Sequence, residues 1–288
     1  MILTVTLNPA LDITYHVDAL TPGATHRVSR VSERLGGKGV NVAGVLAQLG
    51  IPVTATGLLR DGPPTFSPIA AAPRRTVVVT DAVDATGFWE PGPVVTPEEW
   101  AAFTVSFARL AKEAKVVVLS GSLPGGLPEH AYASLIGLAR DARCLTILDT
   151  SGPALAAGLM AAPTVVKPNA TELADLLTAH DATESGATSK AAPKGIPEGT
   201  TIVASDGPHG LTAAGWRAKP PVVQGNPTGA GDACVAALAR GLLHGTPWPQ
   251  LLRDAAALSA AAVASPVAGH VDLTVYQELL PQIVMEES

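Results

Sequence analysis

Hydrophobic residues recur along this chain in two alternating patterns. Short apolar runs that end in a polar residue or a proline predict buried strands, whereas apolar residues spaced three and four apart predict amphipathic helices. From about residue 97 the two patterns alternate regularly. The predicted helices are 97–113, 128–140 and 170–179, and the predicted strands are 115–119, 145–149, 164–167 and 201–204. Such alternation implies right-handed crossovers and a mostly parallel sheet covered on both faces.

The first part of the chain predicts further strands of the same sheet and also a second, smaller sheet. Residues 2–7 and 51–57 predict two more buried strands, with an apolar helix between them that ends near Gly50. Four shorter segments alternate polar and apolar residues like exposed strands, which indicates a small sheet outside the core. These segments are 14–17, 25–31, 76–80 and 87–89. Two segments, 60–74 and 181–199, have no clear helix or strand pattern.

Composition narrows the class of protein. The 288 residues are 47% hydrophobic and 15% charged, so the chain can bury a large core. A formal net charge of −6 without any run of Lys or Arg argues against a nucleic-acid or anionic-membrane surface and favours small-molecule chemistry. The N-terminal residues predict neither a secretion signal nor a membrane span, so we expect a cytoplasmic protein. Cys144 and Cys234 form no CxxC or Cys/His cluster, which argues against a disulfide or a zinc site.

The segment from Asn226 to Asp232 combines two glycines with a carboxylate at the start of an Ala/Leu-rich helix. Gly229 and Gly231 leave the first-turn amides uncovered, and unpaired amides at a helix start bind anions. Asp232 has two interpretations. It can be a helix-start acid that complements the dipole, or it can accept a proton from a substrate hydroxyl beside a transferring phosphoryl group.

A second glycine-rich turn, from Gly36 through Gly37, Lys38 and Gly39, also leads into a helix. It is not a Walker A loop, because Gly39 replaces the Ser or Thr that should follow the lysine. It is not a dinucleotide fingerprint either, because Val42 stands at the third glycine position. A capping role alone would explain the turn, but a second anion site with Lys38 as its cation is the alternative.

Polar groups that can take part in chemistry come directly after predicted strands, at the carboxyl edge where α/β sheets bind ligands. They are Asp12, Ser122, Asp149, Lys167 with Asn169, and Ser205 to Gly207. Asn169 and Glu172 have the spacing of a helix capping box. The same oxygens could instead hold the waters of a Mg²⁺ ion, with Lys167 near nucleotide phosphates.

Five motifs then resemble the PfkB/ribokinase-like carbohydrate kinases in order and spacing, nearly from end to end. The match to Asn-Pro-Ala-Leu-Asp and Gly-Gly-Lys-Gly is most similar to the branch of 1-phosphofructokinase and tagatose-6-phosphate kinase. The motifs are Asn8–Asp12, Gly36–Asn41, Ser120–Pro124, Lys167–Glu172 and Thr228–Asp232.

The resemblance implies an α/β class fold, a single ribokinase-like three-layer α/β/α domain over residues 1–288 with a mostly parallel central sheet. A small β-sheet lid would come from about 13–31 and 75–90. It implies ATP-dependent phosphorylation of a phosphorylated ketohexose with Mg²⁺, fructose 1-phosphate giving fructose 1,6-bisphosphate. Fructose 6-phosphate and tagatose 6-phosphate remain alternative substrates. It also implies a homodimer through the lid, with no nucleic-acid or membrane partner.

The resemblance also implies a role for each motif residue. Asp232 would be the base, with the amides of Gly229, Ala230 and Gly231 as anion hole. The sugar site would comprise Asp12, Gly37, Lys38, Asn41 and Arg75, where Lys38 and Arg75 bind the phosphate already on the sugar. The nucleotide site would comprise Lys167, Ser205, Gly207 and Thr228. Asn169 and Glu172 would organise Mg²⁺.

Two departures from the family pattern stand out. The Pro-rich segment 60–74 takes the place of a glycine-rich turn and a full helix, and Arg75 is followed by Thr76-Val77 where the family has an asparagine. Two other classes stay open at this point. One is a catalytically silent sugar- or nucleotide-sensing relative, against which the intact motif at Asp232 argues. The other is a nicotinamide-dependent enzyme, against which the missing fingerprint argues.

Overall fold

The computed structural model describes residues 1–181, 196–265 and 267–288, and most of the patternless 181–199 segment lies outside these residues. In the described residues the elements follow one another as β1 (Ile2–Thr6), β2 (Ala10–His16), β3 (Arg30–Gly36), α1 (Lys38–Gln48), β4 (Val53–Gly57), β5 (Arg74–Thr80), β6 (Ala85–Trp89), α2 (Pro97–Ala111), β7 (Val116–Ser120), α3 (Ala131–Asp141), β8 (Leu145–Asp149), α4 (Gly152–Leu159), β9 (Val165–Val166), α5 (Ala170–Asp181), β10 (Thr201–Ile202), β11 (Ala204–Ser205), β12 (Leu211–Ala213), β13 (Trp216–Lys219), α6 (Ala230–His244), α7 (Trp248–Val263), α8 (Leu273–Leu279) and β14 (Val284–Glu287).

A six-stranded parallel sheet forms the centre of the molecule, in the order β10-β9-β8-β7-β1-β4. Every residue of β1 and β7 is buried, because helices cover both faces. Helices α1, α6 and α7 pack on one face, and α2 to α5 pack on the other. The predicted three-layer α/β/α fold class is confirmed.

A second, four-stranded sheet in the order β3-β2-β5-β6 lies outside the central sheet and is called the lid below, after the expected element that it matches. Its strands differ from the predicted ones in their limits. Strand β2 begins at Ala10, directly after Asn8-Pro9, so Asp12 lies within a lid strand and not in a loop as we expected. Strand β3 spans Arg30–Gly36 instead of residues 25–31 and runs directly into α1. The alternation signal was correct in kind, but pairing with β2 decides where β3 begins and ends.

The segment between β4 and β5 contains no helix, as the sequence predicted. It lies along β4 instead: the Thr56 hydroxyl donates to the Thr65 carbonyl at 2.6 Å, and the Thr65 hydroxyl donates to the Ala55 carbonyl at 2.7 Å. Phe66 and Ile69 of this segment are buried. The Pro-rich segment therefore covers the edge strand of the central sheet, which would otherwise offer unpaired backbone groups.

In the described residues, the C-terminal part contains helices α6, α7 and α8 and one strand that the sequence did not predict. Strand β14 follows α8 and pairs antiparallel with β13, completing a third sheet in the order β11-β12-β13-β14. Only Met285 among its four residues is shielded from solvent, so it lacks the apolar signal of a buried strand. Among the described residues, no helix combines the length and the apolar character that a bilayer crossing requires.

Candidate active site

Asp232 lies in the first turn of α6, above the carboxyl edge of the central sheet, and only 6% of it is exposed. The turn depends on Gly229, which caps the helix in the left-handed conformation with φ of 91°. A Cβ at this position would lie 2.9 Å from Ala268, so a larger residue would meet both backbone strain and a collision. Glycine at 229 therefore lets α6 begin tight against Ala268 and Gly269 and sets Asp232 inward.

The amides of this turn are only partly available to a ligand. Those of Gly229 and Gly231 have no backbone acceptor among the described residues, and Gly231 is exposed. The Ala230 amide differs from our expectation, because it donates to the Pro227 carbonyl at 3.2 Å. The turn thus leaves two amides open in place of the three consecutive amides predicted from the motif.

The electrostatic surroundings of Asp232 favour its neutral form at moderately acidic pH. Its pKa is raised to about 6, chiefly by burial and secondly by the nearby Asp149 carboxylate. The Asn41 hydrogen bond and the Lys38 and Lys167 ammonium groups act in the opposite direction. A carboxyl with such a pKa is ionised at neutral pH yet accepts a proton more readily than an ordinary aspartate, which suits a general base.

Asp149, the last residue of β8, lies between two lysines that come from different parts of the chain. Its Oδ2 is 3.2 Å from the Lys38 Nζ and its Oδ1 is 3.1 Å from the Lys167 Nζ. Asp149 is almost fully buried; burial alone would raise the pKa of its carboxyl, but Lys167 and Lys38 together hold that pKa below its ordinary value. Asp149 thereby brings together the cation expected at the sugar site and the one expected at the nucleotide site.

A chain of hydrogen bonds leads from the lid to Asp232. Arg34 on β3 donates from Nη2 to the Asp12 Oδ2 at 2.8 Å and from Nη1 to the Asn41 Oδ1 at 3.0 Å. Asn41 in turn donates from Nδ2 to the Asp232 Oδ2 at 2.8 Å. The structure thus brings together Asp12, Asn41 and Asp232 as the sequence predicted. It adds Arg34, which the sequence reasoning missed.

The remaining predicted sugar-site residues are Gly37, Lys38 and Arg75, and they do not all lie together. Gly37 is the N-cap of α1, with φ of 115°, next to Lys38. Arg75 does not join them: it pairs with Leu11 in the lid sheet, on the face opposite Asp12, and its guanidinium binds Glu90. Arg74 lies on the Asp12 side, and its charge acts to lower the pKa of the Asp12 carboxyl, which burial raises. The register of β5 therefore favours Arg74 over Arg75 for a ligand in the site.

Of the predicted nucleotide residues, Lys167 is buried and paired with Asp149. Ser205 lies beside it, with its amide and its hydroxyl both donating to the Pro168 carbonyl. Gly207 opens an exposed turn, with φ of 49° and open space where a Cβ would be. The Thr228 amide donates to the Asn226 side chain, so this exposed residue is held at the start of the α6 turn.

Asn169 and Glu172 form the capping box that the sequence allowed. The Asn169 Oδ1 accepts from the Glu172 amide, and the Glu172 Oε2 accepts from the Asn169 amide, both at 2.9 Å. Glu172 Oε1 takes no part in the box. No group of three or more His, Cys, Asp or Glu side chains gathers into a metal cage in the described part of the chain. The Glu172 Oε1, an oxygen outside the box, is a ligand type that suits a Mg²⁺ ion which keeps waters and phosphate oxygens as most of its ligands.

Sequence reasoning noticed Asp149 as a polar strand end but gave it no role, and it overlooked Arg34 and Arg74. Asp149 carried a usable signal, because the carboxyl edge of a parallel sheet collects ligand groups. Arg34 and Arg74 carried none, since both lie in half-exposed strands. Their proximity to Asp12 follows from the pairing of β2 with β3 and β5.

Fold and site together fit an α/β phosphotransferase, with a buried carboxyl, a helix turn that has two open amides, and two lysines at one sheet edge. The chain belongs to the pfkB family of carbohydrate kinases, whose family model matches residues 5–63 and 73–273. It is thus an ATP-dependent sugar kinase. The unmatched residues 64–72 fall within the segment that lies along β4.

Solved structures share this fold along their whole length. A protein described as a possible 1-phosphofructokinase from Thermotoga maritima is 24% identical, with a TM-score of 0.82 over 100% of this chain and 99% of that one. Escherichia coli phosphofructokinase-2, in complex with substrates and products, is 24% identical, with a TM-score of 0.79 over 98% of each chain. Arabidopsis thaliana ribokinase, complexed with ribose and ATP, is 18% identical, with a TM-score of 0.65 over 96% of this chain and 98% of that one. At these identities the comparison establishes the fold.

Proposed function

We propose that this kinase transfers the γ-phosphoryl group of ATP to a hydroxyl of a phosphorylated ketohexose. Fructose 1-phosphate is the substrate we assign, and the products are fructose 1,6-bisphosphate and ADP. The observation that carries the proposal is the buried Asp232, held by Asn41 beside the open amides of Gly229 and Gly231.

The proposed reaction forms one bond and breaks one bond. The sugar hydroxyl oxygen bonds to the γ-phosphorus, the bond from that phosphorus to the β–γ bridging oxygen breaks, and the hydroxyl proton passes to Asp232. One oxygen of Asp232 accepts the Asn41 hydrogen bond, so we assign the other to the substrate hydroxyl. The Gly229 and Gly231 amides stabilise charge on the transferring group. Lys167, the pKa of which Asp149 holds above its ordinary value despite burial, stays charged toward the nucleotide phosphates.

A phosphate already present on the sugar is supported by the cations on the lid side. Lys38 is half exposed beside Asp149, and Arg74 lies on the site face of the lid, whereas the Arg34 charge is taken up by Asp12. An unphosphorylated sugar would need hydrogen-bonding groups but not this concentration of positive charge in an acidic protein. The motif resemblance to the 1-phosphofructokinase branch selects fructose 1-phosphate from the phosphoketohexoses.

Mg²⁺ would enter with ATP, neutralising charge on the phosphate oxygens. We assign Glu172, and Asn169 through water, to its surroundings. Because both side chains already cap α5, the same bonds that begin the helix fix the orientation of these oxygens.

The experiment is ADP release with Mg-ATP against fructose 1-phosphate, fructose 6-phosphate, tagatose 6-phosphate, fructose and ribose. We expect fructose 1-phosphate to give the highest kcat/KM, with an acid limb at the Asp232 pKa of about 6. Asp232→Asn should lower kcat by about 10²–10⁴-fold while ATP still binds. Asp141→Asn, at an exposed carboxyl at the end of α3, is the matched control. Turnover on an unphosphorylated sugar alone would refute the phosphosugar assignment, and ATP binding without any turnover would favour a silent binding protein.

We also assign a homodimer that pairs through the outer face of the lid. This face carries Tyr15, Val31, Val77 and Phe88, since Tyr15 pairs with Val31 and Val77 with Phe88, on the side away from Asp12. Val31 is 51% and Phe88 57% exposed, which leaves an apolar sheet face uncovered. Sedimentation analysis should show a dimer that Val31→Asp with Phe88→Asp converts to a monomer. Val105→Asp, on the exposed side of α2, should leave the mass unchanged.

A further inference from the structure

The geometry points to Arg34 as a positioning residue that holds the Asn41 amide in the orientation that supports Asp232, and thereby couples the lid to the base. The inference rests on the proposed phosphotransfer at this site and goes beyond it. Arg34 was part of no sequence motif, and its role follows from its two bonds to Asp12 and Asn41.

The orientation of Asn41 is decided by what its neighbours can donate and accept. An asparagine amide has an accepting oxygen on one side and a donating nitrogen on the other, whereas an arginine guanidinium can only donate. With Arg34 Nη1 at 3.0 Å from one end, that end must be Oδ1. The Nδ2 then faces the Asp232 Oδ2 at 2.8 Å. A flipped amide would place two donors together at Arg34 and two acceptors together at Asp232.

The local backbone is shaped to admit the Arg34 side chain. Asp12 Oδ2, which binds Arg34, lies where a side chain at Gly36 would be: a Cβ there would come within 2.0 Å of it. Glycine at 36 therefore leaves room for the Asp12–Arg34 pair. Both side chains are mostly shielded, at 24% and 34% exposure, so solvent competes only in part for this pair.

The hydrogen-bond chain crosses from one structural unit to the other. Asp12 and Arg34 belong to lid strands β2 and β3, whereas Asn41 and Asp232 belong to helices α1 and α6 of the core. A shift of the lid against the core lengthens the Arg34–Asn41 bond. Asn41 then loses the contact that fixes its orientation, and Asp232 loses its donor. Base strength at Asp232 thus depends on where the lid stands.

The consequence for Asp232 has a definite sign. The charged and polar groups that act on it are Asp149, Lys38, Lys167 and Asn41. Of these, only Asn41 is oriented by Arg34. Removing the guanidinium weakens the Asn41 hydrogen bond to the ionised carboxylate, so the Asp232 pKa should rise further above its ordinary value.

The test is Arg34→Met, with Arg30→Met as the matched control. Arg30 lies on the same strand and the same face but donates to His16, away from Asn41. We expect Arg34→Met to lower kcat roughly 10- to 100-fold at neutral pH and to move the acid limb of kcat/KM up by about one pH unit, the worth of one hydrogen bond to a charged group. The KM for Mg-ATP should stay within a factor of two or so of the wild-type value, because the bonds of Arg34 go to Asp12 and Asn41 and not to the predicted nucleotide residues. Arg30→Met should change neither kcat nor the pH of the acid limb of kcat/KM.

A double variant separates action through Asn41 from direct contact with the sugar phosphate. If Arg34 acts through Asn41, Arg34→Met combined with Asn41→Ala should be no slower than Asn41→Ala alone. Losses that multiply, with a rise in KM for the phosphosugar only, would overturn the inference and make Arg34 a substrate ligand.

A measurement without turnover keeps this result independent of the proposed reaction. The difference in unfolding free energy between a protein and its Asp232→Asn counterpart, followed across pH, reports the Asp232 pKa. In the Arg34→Met background that titration should move to higher pH. An unchanged titration would refute the coupling, whereas a shifted titration in an enzyme inactive on all five sugars would refute only the proposed substrate class.

Discussion

The raised pKa of Asp232 predicts that the wild-type protein is destabilised by its own base. Burial raises this pKa from its ordinary value of 3.8 to about 6, so the folded protein holds the proton more tightly than the unfolded chain does. Between these two pH values the unfolded chain binds fewer protons, and stability falls as pH rises; above about pH 6 this penalty is constant. Asp232→Asn should therefore stabilise the protein at neutral pH.

The magnitude follows from the two pKa values. Their separation corresponds to about 3 kcal/mol at a pH well above both, at about 1.36 kcal/mol for each tenfold change in proton affinity. For 288 residues an unfolding entropy of about 0.6 kcal/mol per kelvin turns this into a melting-temperature gain of about 5 °C. Asparagine is suited to the test because its side-chain oxygen can still accept the Asn41 hydrogen bond.

The assay is urea or thermal unfolding of wild type and Asp232→Asn across pH. The unfolding free energy of Asp232→Asn minus that of wild type should increase by about 2 kcal/mol from about pH 4.5 to about pH 7.5. Asp141→Asn, at an exposed carboxyl, should show no such increase. If Asp232→Asn were as stable as wild type, or less stable, throughout this range, the argument that ionised Asp232 destabilises the folded protein would be refuted. Gain in stability with loss of turnover is the expected trade-off at an active site.

Three further predictions concern the groups around this base. Lys38→Ala should raise the KM for the phosphosugar at least tenfold more than that for ATP, and equal effects in initial-rate measurements would contradict separate anion sites. Gly36→Ala should displace the Asp12 carboxylate, whose Oδ2 would lie 2.0 Å from the new Cβ, and raise the KM for the phosphosugar but not that for ATP; an unchanged phosphosugar KM would show that Asp12 is not a ligand. Asp149→Asn should cost about 3–5 kcal/mol in urea unfolding by leaving the buried Lys167 unpaired, and a loss below about 1 kcal/mol would show that solvent already screens this pair.

Much of the fold could be read from patterns in the chain. The strand at Leu145–Asp149 was predicted to the residue, because an apolar run between a helix end and a polar cluster has few alternatives. The absence of a helix from residues 60–74 was also read correctly. The predicted limits of the lid strands were less accurate. An exposed strand has few apolar residues to mark its ends, so its limits are set by pairing with the neighbouring strand. Strand β14 was missed because three of its four residues are exposed.

The residues of the candidate site were likewise predicted in part. Asp12, Asn41 and Asp232 were predicted as parts of motifs, and the structure places them in one hydrogen-bond chain. Arg75 was chosen over Arg74 from motif alignment, and the register of β2 with β5 turns Arg75 to the other face. A one-residue difference in a strand reverses the direction of a side chain, so sequence spacing alone could not settle the choice.

What the sequence by itself determined is local chemistry: which turns carry glycine, which helix starts with an acid, and which strands end in polar groups. These features depend only on neighbouring residues in the chain, so they can be recognised without knowledge of the fold. Only the tertiary structure decided that Asp149 joins Lys38 to Lys167 and that Arg34 reaches Asn41. Those contacts join residues from separate elements, and burial, which gives Asp232 its raised pKa, is a property of the packed protein and not of any segment.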